Sequence, residues 1–104
     1  MKNRIAIVVG CVAVLMIASC AVQDANAPKP TQEMADRANL PLSAIREGHS
    51  VYLRKCAECH ELMLPDRVTS SDWHVVVPGM AWNAGISRQE EDAVLQYLLA
   101  AKSR

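Results

Sequence analysis

Five consecutive residues, Cys56-Ala57-Glu58-Cys59-His60, gather two thiols and an imidazole in the middle of the chain, and the fold has to be built around whatever holds them. Two cysteines three apart lie on nearly the same face of a helix, with the histidine directly after them. Only about 62 residues, Pro41 to Lys102, carry a folding pattern, and they include no Phe, two Trp and two Tyr. A core that small is usually too weak to hold a domain unless a disulfide, a metal or a partner assists.

The spacing is that of the C-x-x-C-H haem-attachment motif. Both thiols reach the two vinyl groups along one haem edge and form thioethers. The histidine turns under the ring and offers an imidazole nitrogen to the iron. One covalent haem c, held by Cys56 and Cys59 with His60 as axial ligand, would also supply the missing apolar area. Rival readings stay open at this point. A thioredoxin-type redox pair needs a strand–helix context, and none is visible. A structural zinc site needs four ligands, and His49 and His74 are spaced unlike a zinc module. A plain Cys56–Cys59 disulfide would leave a tiny staple and no core.

The other two cysteines fall in or beside an export signal. Lys2 and Arg4 form a positive start, and Ile5 to Ala18 is an apolar run of 14 residues interrupted only by Gly10 and Cys11. Spanning a bilayer takes about 20 residues, so residues 1–20 read as a signal peptide, with an uncleaved anchor as the alternative. Ile17-Ala18-Ser19-Cys20 resembles the lipobox of bacterial lipoproteins, in which the cysteine is lipidated and becomes the mature N-terminus. Ala25-Asn26-Ala27 is a competing A-x-A site, but it lies far past the apolar run and Pro28 follows it. The lipobox resemblance implies a periplasmic domain carried on a lipid at Cys20, and Ala21 after it implies the outer membrane. The A-x-A alternative implies a soluble periplasmic protein.

The whole chain is formally neutral, and the part beyond residue 20 has nine basic and eleven acidic side chains, a charge of −2. That balance gives no reason to expect nucleic acid as a partner. Residues 21–40 are polar, alanine-rich and interrupted by Pro28 and Pro30. They read as a flexible tether with one helical turn near Gln32–Arg37, ahead of a domain over 41–104.

Three helical segments are expected in that domain. The first follows Pro41, with Ser43 as candidate cap, and runs through Ile45, Gly48, Tyr52, Leu53 and Cys56 at three- and four-residue steps. The second is short, capped near Thr69–Ser71, built on Trp73 to Val77 and ended by Pro78-Gly79. The third opens on Ser87-Arg88-Gln89-Glu90, a capping box, and buries Val94, Leu95, Leu98 and Leu99 beside Tyr97. The fold class is all-α, although Val75-Val76-Val77 alone would also suit a strand.

Met80 is the first choice for the second axial position. Twenty residues after His60 leave enough chain to travel around the haem, and a loop after Pro78-Gly79 would let the thioether aim at the iron. The alternative is that Met80 fills core space, the commonest methionine job. His74 is the rival ligand. Met63 lies too close to His60 to reach the far side of the ring, Met34 belongs to the tether, and His49 reads as a surface residue or a propionate neighbour.

Residues 42–104, about 60% of the chain, resemble a class I monohaem cytochrome c domain. The resemblance rests on Gly48, Tyr52, Cys56, Cys59 and His60 at the front and on Ser87, Glu90 and Tyr97-Leu98 at the back. Pro65, Ser71-Asp72-Trp73-His74-Val75-Val76 and Met80 between them are similar to a short-loop bacterial subgroup. It implies about three helices around one haem, with Gly48 letting Tyr97 approach where the first and last helices cross. It further implies electron transfer with redox partner proteins, membrane-associated ones if Cys20 is lipidated. The Gly-Pro pair whose carbonyl orients the haem histidine in many relatives is missing. Only Pro65 is near, which leaves the partner of the His60 ring unassigned. A haem sensor with an open sixth site, or a haem subunit of a larger oxidoreductase, are the other readings. No nucleophile, acid–base pair or substrate pocket stands out, so catalysis by this chain is not expected.

Overall fold

Helix α4 (Arg88–Ala101) is the element on which the others pack. The structure, a computed structural model, describes residues 26–58 and 61–103. The expected capping box is formed: Glu90 N–H donates to Ser87 Oγ at 3.1 Å, and Ser87 N–H donates to the Glu90 carboxylate at 3.4 Å. Two orphan donors of the first turn are thereby satisfied. Val94, Tyr97 and Leu98 then form a buried stripe.

Helix α2 (Leu42–Val51) lies across α4 and buries Ile45, Gly48 and Val51. A Cβ on Gly48 would overlap the Ala93 carbonyl oxygen and come within 2.8 Å of the Tyr97 Cβ, so the crossing requires glycine. The Tyr97 ring, fully buried, packs against Tyr52 at 5.4 Å and His49 at 5.0 Å. Tilted aromatic pairs of this kind add about 0.5–1.5 kcal/mol beyond area burial. Ser43 is not the cap of α2; Pro41 holds that position in an extended conformation without a side-chain bond. Proline suits a helix start because its missing N–H would have been unpaired there.

The tether expectation gives way over residues 27–40. Helix α1 (Gln32–Ala38) is capped by Thr31, whose Oγ1 accepts from Met34 N–H at 3.2 Å, and is closed by Asn39 at φ 54°. Met34 and Ala35 are buried, as is Ala27. The Arg37 guanidinium donates to the Ala100 carbonyl at 2.8 Å, and the Tyr97 hydroxyl to the Pro28 carbonyl at 2.6 Å. A helix of seven residues is marginal alone, and these long-range contacts hold it. The chain is all-helical as expected, with four α-helices among the described residues instead of about three, and no strand there. The signal, Cys20 and the start of the tether lie outside the described residues. Among those described, no helix is long and apolar enough to cross a membrane.

Candidate cofactor site

Beyond Val51 helix α2 widens into a π-helical turn, Tyr52–Cys56. Single π turns inside helices are rare and occur often at functional sites. This one carries Tyr52, Lys55 and Cys56 onto the wall of a cavity of about 350 Å³. The volume is within the range of about 300–1,000 Å³ typical of small-molecule sites. Apart from Asn83 the rest of the wall is apolar: Trp73, Val77 and Ala81 come from helix α3 (Ser70–Ala84), and Val94 and Leu98 from α4.

Cys56 is half-buried there, and burial pushes its thiol pKa up, so it is held as a neutral thiol. The Tyr52 hydroxyl donates to the Met63 carbonyl at 2.9 Å. Its pKa is pushed up to about 12, chiefly by burial and then by the neighbouring Cys56. Burial, followed by the neighbouring Tyr52, raises Tyr97 as well. Both rings are therefore neutral packing groups at ordinary pH. Cys59 and His60 lie outside the described residues.

Met80 borders the cavity, but from a helix and not from a loop. Pro78 and Gly79 do not end α3, which runs on to Ala84 and stops at Gly85, whose φ of 66° takes the left-handed cap. Trp73, Val77 and Ala81, at steps of four, bury one continuous face, and that packing outweighs the local stop signal. Pro78 lacks the N–H that would bond the His74 carbonyl, and both residues are exposed. The valine run 75–77 is helical for the same reason.

Met63 also lines the cavity, and it and Met80 are each about two-fifths exposed. Met63 and Met80 thus border the same cavity, where the sequence pointed only to Met80. His74 is exposed on α3 and is not part of the cavity wall. His49 is away from the cavity too, against Tyr97. Met34 is buried under α1.

The loop between the motif and α3 is pinned by the Pro65 carbonyl, which accepts from Trp73 Nε1 at 2.9 Å and Lys102 Nζ at 3.2 Å. A carbonyl oxygen has two lone pairs, and these two donors engage both. Lys102 also bonds the Val68 carbonyl, and Asp66 accepts from Ser103 N–H and hydroxyl at 2.8 and 2.6 Å. These last-turn residues carried no signal in the sequence, because they act across more than 30 positions. The helical spacing of Trp73, Val77 and Ala81 did carry one, hidden by Pro78-Gly79.

The walls suit a haem in chemical character: mostly apolar surface, with one cysteine and two methionines among the lining residues. Among the described residues, no three His, Cys, Asp or Glu side chains gather as a cation cage would need. Comparison with protein-family models, with curated proteins and with solved structures found no match.

Proposed function

We propose that this chain is an exported electron-transfer protein of the monohaem cytochrome c kind, carrying one haem c through Cys56 and Cys59. The observation that supports it most is the position of Cys56. The first cysteine of the C-x-x-C-H motif is built into the wall of an apolar cavity that Met80 also borders. In this reading His60 and Met80 would hold the iron. When bound, the haem supplies a one-electron ferrous–ferric couple, and a soft thioether ligand raises its potential.

The protein's residues have three tasks. Cys56 and Cys59 make the attachment permanent, which keeps the group in place outside the cytoplasm. Trp73, Val77, Val94 and Leu98 keep water from the ring. Tyr52 and Trp73, bonded to the Met63 and Pro65 carbonyls, hold the loop after the motif against the rest of the domain. The near-neutral charge implies modest steering of redox partners. A lipid on Cys20 would keep the domain at the periplasmic side of the outer membrane, beside membrane-associated partners.

A sensor reading draws on one observation: Met80 belongs to a regular helix and is partly exposed, so packing alone accounts for it. Absorption spectra of the matured protein, with and without carbon monoxide, separate the two. Electron transfer through His60/Met80 ligation predicts a thioether-to-ferric charge-transfer band that Met80→Ala abolishes and Met63→Ala leaves in place. Rapid carbon monoxide binding by the unaltered protein, or a band that survives Met80→Ala, would refute Met80 ligation.

A further inference from the structure

The chain joins its fold earlier than a polar stretch with two prolines suggests. Ala27 is buried, and the Pro28 carbonyl accepts from the Tyr97 hydroxyl at 2.6 Å. Ten residues on, Arg37 ties α1 to the Ala100 carbonyl at 2.8 Å. Tyr97 is itself fully buried where α2 crosses α4, so Pro28 is fastened to the centre of the domain. Ala27 therefore belongs to the core, and only six residues, 21–26, separate it from Cys20.

A cut after Ala27 sits badly with this arrangement. It would strip a buried side chain from the core and create a charged amine at Pro28, which the fold half-buries. A cut before Cys20 keeps Ala27 in place.

We propose that the docked segment shortens the link from lipid to fold so far that the domain works only at the membrane face. Seven chain steps join Cys20 to Ala27, and at about 3.3–3.6 Å each they span at most about 25 Å, whatever conformation the link takes. A folded domain of about 75 residues has a radius of gyration of about 11 Å and is about 30 Å across. Its farthest point thus stays within about 55 Å of the bilayer. Were residues 21–40 all free chain, the link alone would reach about 70 Å. The short link selects partners that lie in the same membrane or come to its surface, and holds the domain beside them at high effective concentration. None of the described residues ahead of Tyr52 lines the cavity, so docking the segment takes up none of that site. The inference rests on the lipid anchor of the proposed function and not on the haem.

Neutron reflectometry of the mature lipidated protein in a supported bilayer measures the gap between lipid headgroups and the protein layer. The layer is expected to begin within about 25 Å of the headgroups. Twenty Gly/Ser residues have an end-to-end distance of about 25 Å, so inserting them between Ala25 and Asn26 should move the layer outward by about 10–20 Å. A parent layer that begins farther out overturns the proposal, because residues 27–40 must then have left the fold. So does a layer that stays put on insertion, because the domain's own surface would then hold it at the membrane. Intact-mass measurement of the same sample reads the anchor separately: lipid on Cys20 is expected, and a lipid-free chain beginning at Pro28 refutes the anchor and the short link with it.

Discussion

Adding one methyl group at Gly48 or at Gly79 should move stability in opposite directions, although both glycines lie inside helices. In a helix interior alanine is favoured over glycine by about 1 kcal/mol. At Gly79 nothing opposes that gain, because the new Cβ meets no atom within 4 Å. At Gly48 the new Cβ would overlap the Ala93 carbonyl and stand 2.7 Å from its carbon and 2.8 Å from the Tyr97 Cβ. Carbon–oxygen contacts settle at about 3.3–3.6 Å, so α2 must withdraw from α4 by on the order of 1 Å. A gap of about 0.5–1 Å already forfeits a quarter to a half of the dispersion attraction across an interface. That interface includes Ile45, Val51, Val94 and Tyr97. Overpacking of this kind costs about 1–3 kcal/mol and sometimes more. Because the overlap is with backbone, the cost should lie at the upper end of that range, and less the helix gain Gly48→Ala should lower stability by about 2 kcal/mol, a fall in melting temperature of about 8–16 °C for a domain this small. Gly79→Ala should raise stability by about 0.5–1 kcal/mol. Urea and thermal unfolding of the matured protein, followed by far-ultraviolet circular dichroism, read both. A Gly48→Ala protein as stable as the parent would refute the close crossing of α2 and α4.

Met34 distinguishes a packed α1 from a tether. Met34→Ala should cost about 2 kcal/mol if the helix belongs to the core, and a melting curve superimposable on the parent's would return the segment to tether. The Asp66–Ser103 link makes a pH prediction. Hydrogen bonds from Ser103 hold the Asp66 carboxyl below its ordinary pKa, so its stabilising effect is present above the unfolded value near 4 and fades as pH falls through the lower folded value. Melting temperatures of the parent and Asp66→Asn should therefore differ at pH 7 and converge toward pH 2. A gap that widens on acidification would contradict that sign.

What the sequence revealed depends on how far apart the interacting residues lie. The start of α4 was legible because Ser87 and Glu90 satisfy each other within one turn. The need for glycine at position 48 was legible only through the resemblance to cytochromes c, since nothing local marks Ala93 and Tyr97 as its neighbours. Pro78-Gly79 misled because a local stop signal competed with a buried face that only the folded chain completes, while Gly85 supplied the actual stop. Residues 27–40 looked like a tether because they are polar, yet three buried side chains and two long-range hydrogen bonds suffice to dock them. Within the cavity, Cys56 and Met80 were foreseeable from their chemistry. Met63 was not, because its approach depends on the Tyr52 hydroxyl holding the loop by the Met63 carbonyl.

Covalent attachment at Cys56 and Cys59 underlies the whole functional reading, and intact-mass spectrometry reads it directly. Chain produced with a cytochrome c maturation system and washed in acidified organic solvent should retain the mass of one haem, and the double Cys56→Ala, Cys59→Ala variant should carry none. A parent chain at its unmodified mass, or pigment released into the solvent, would contradict the proposal.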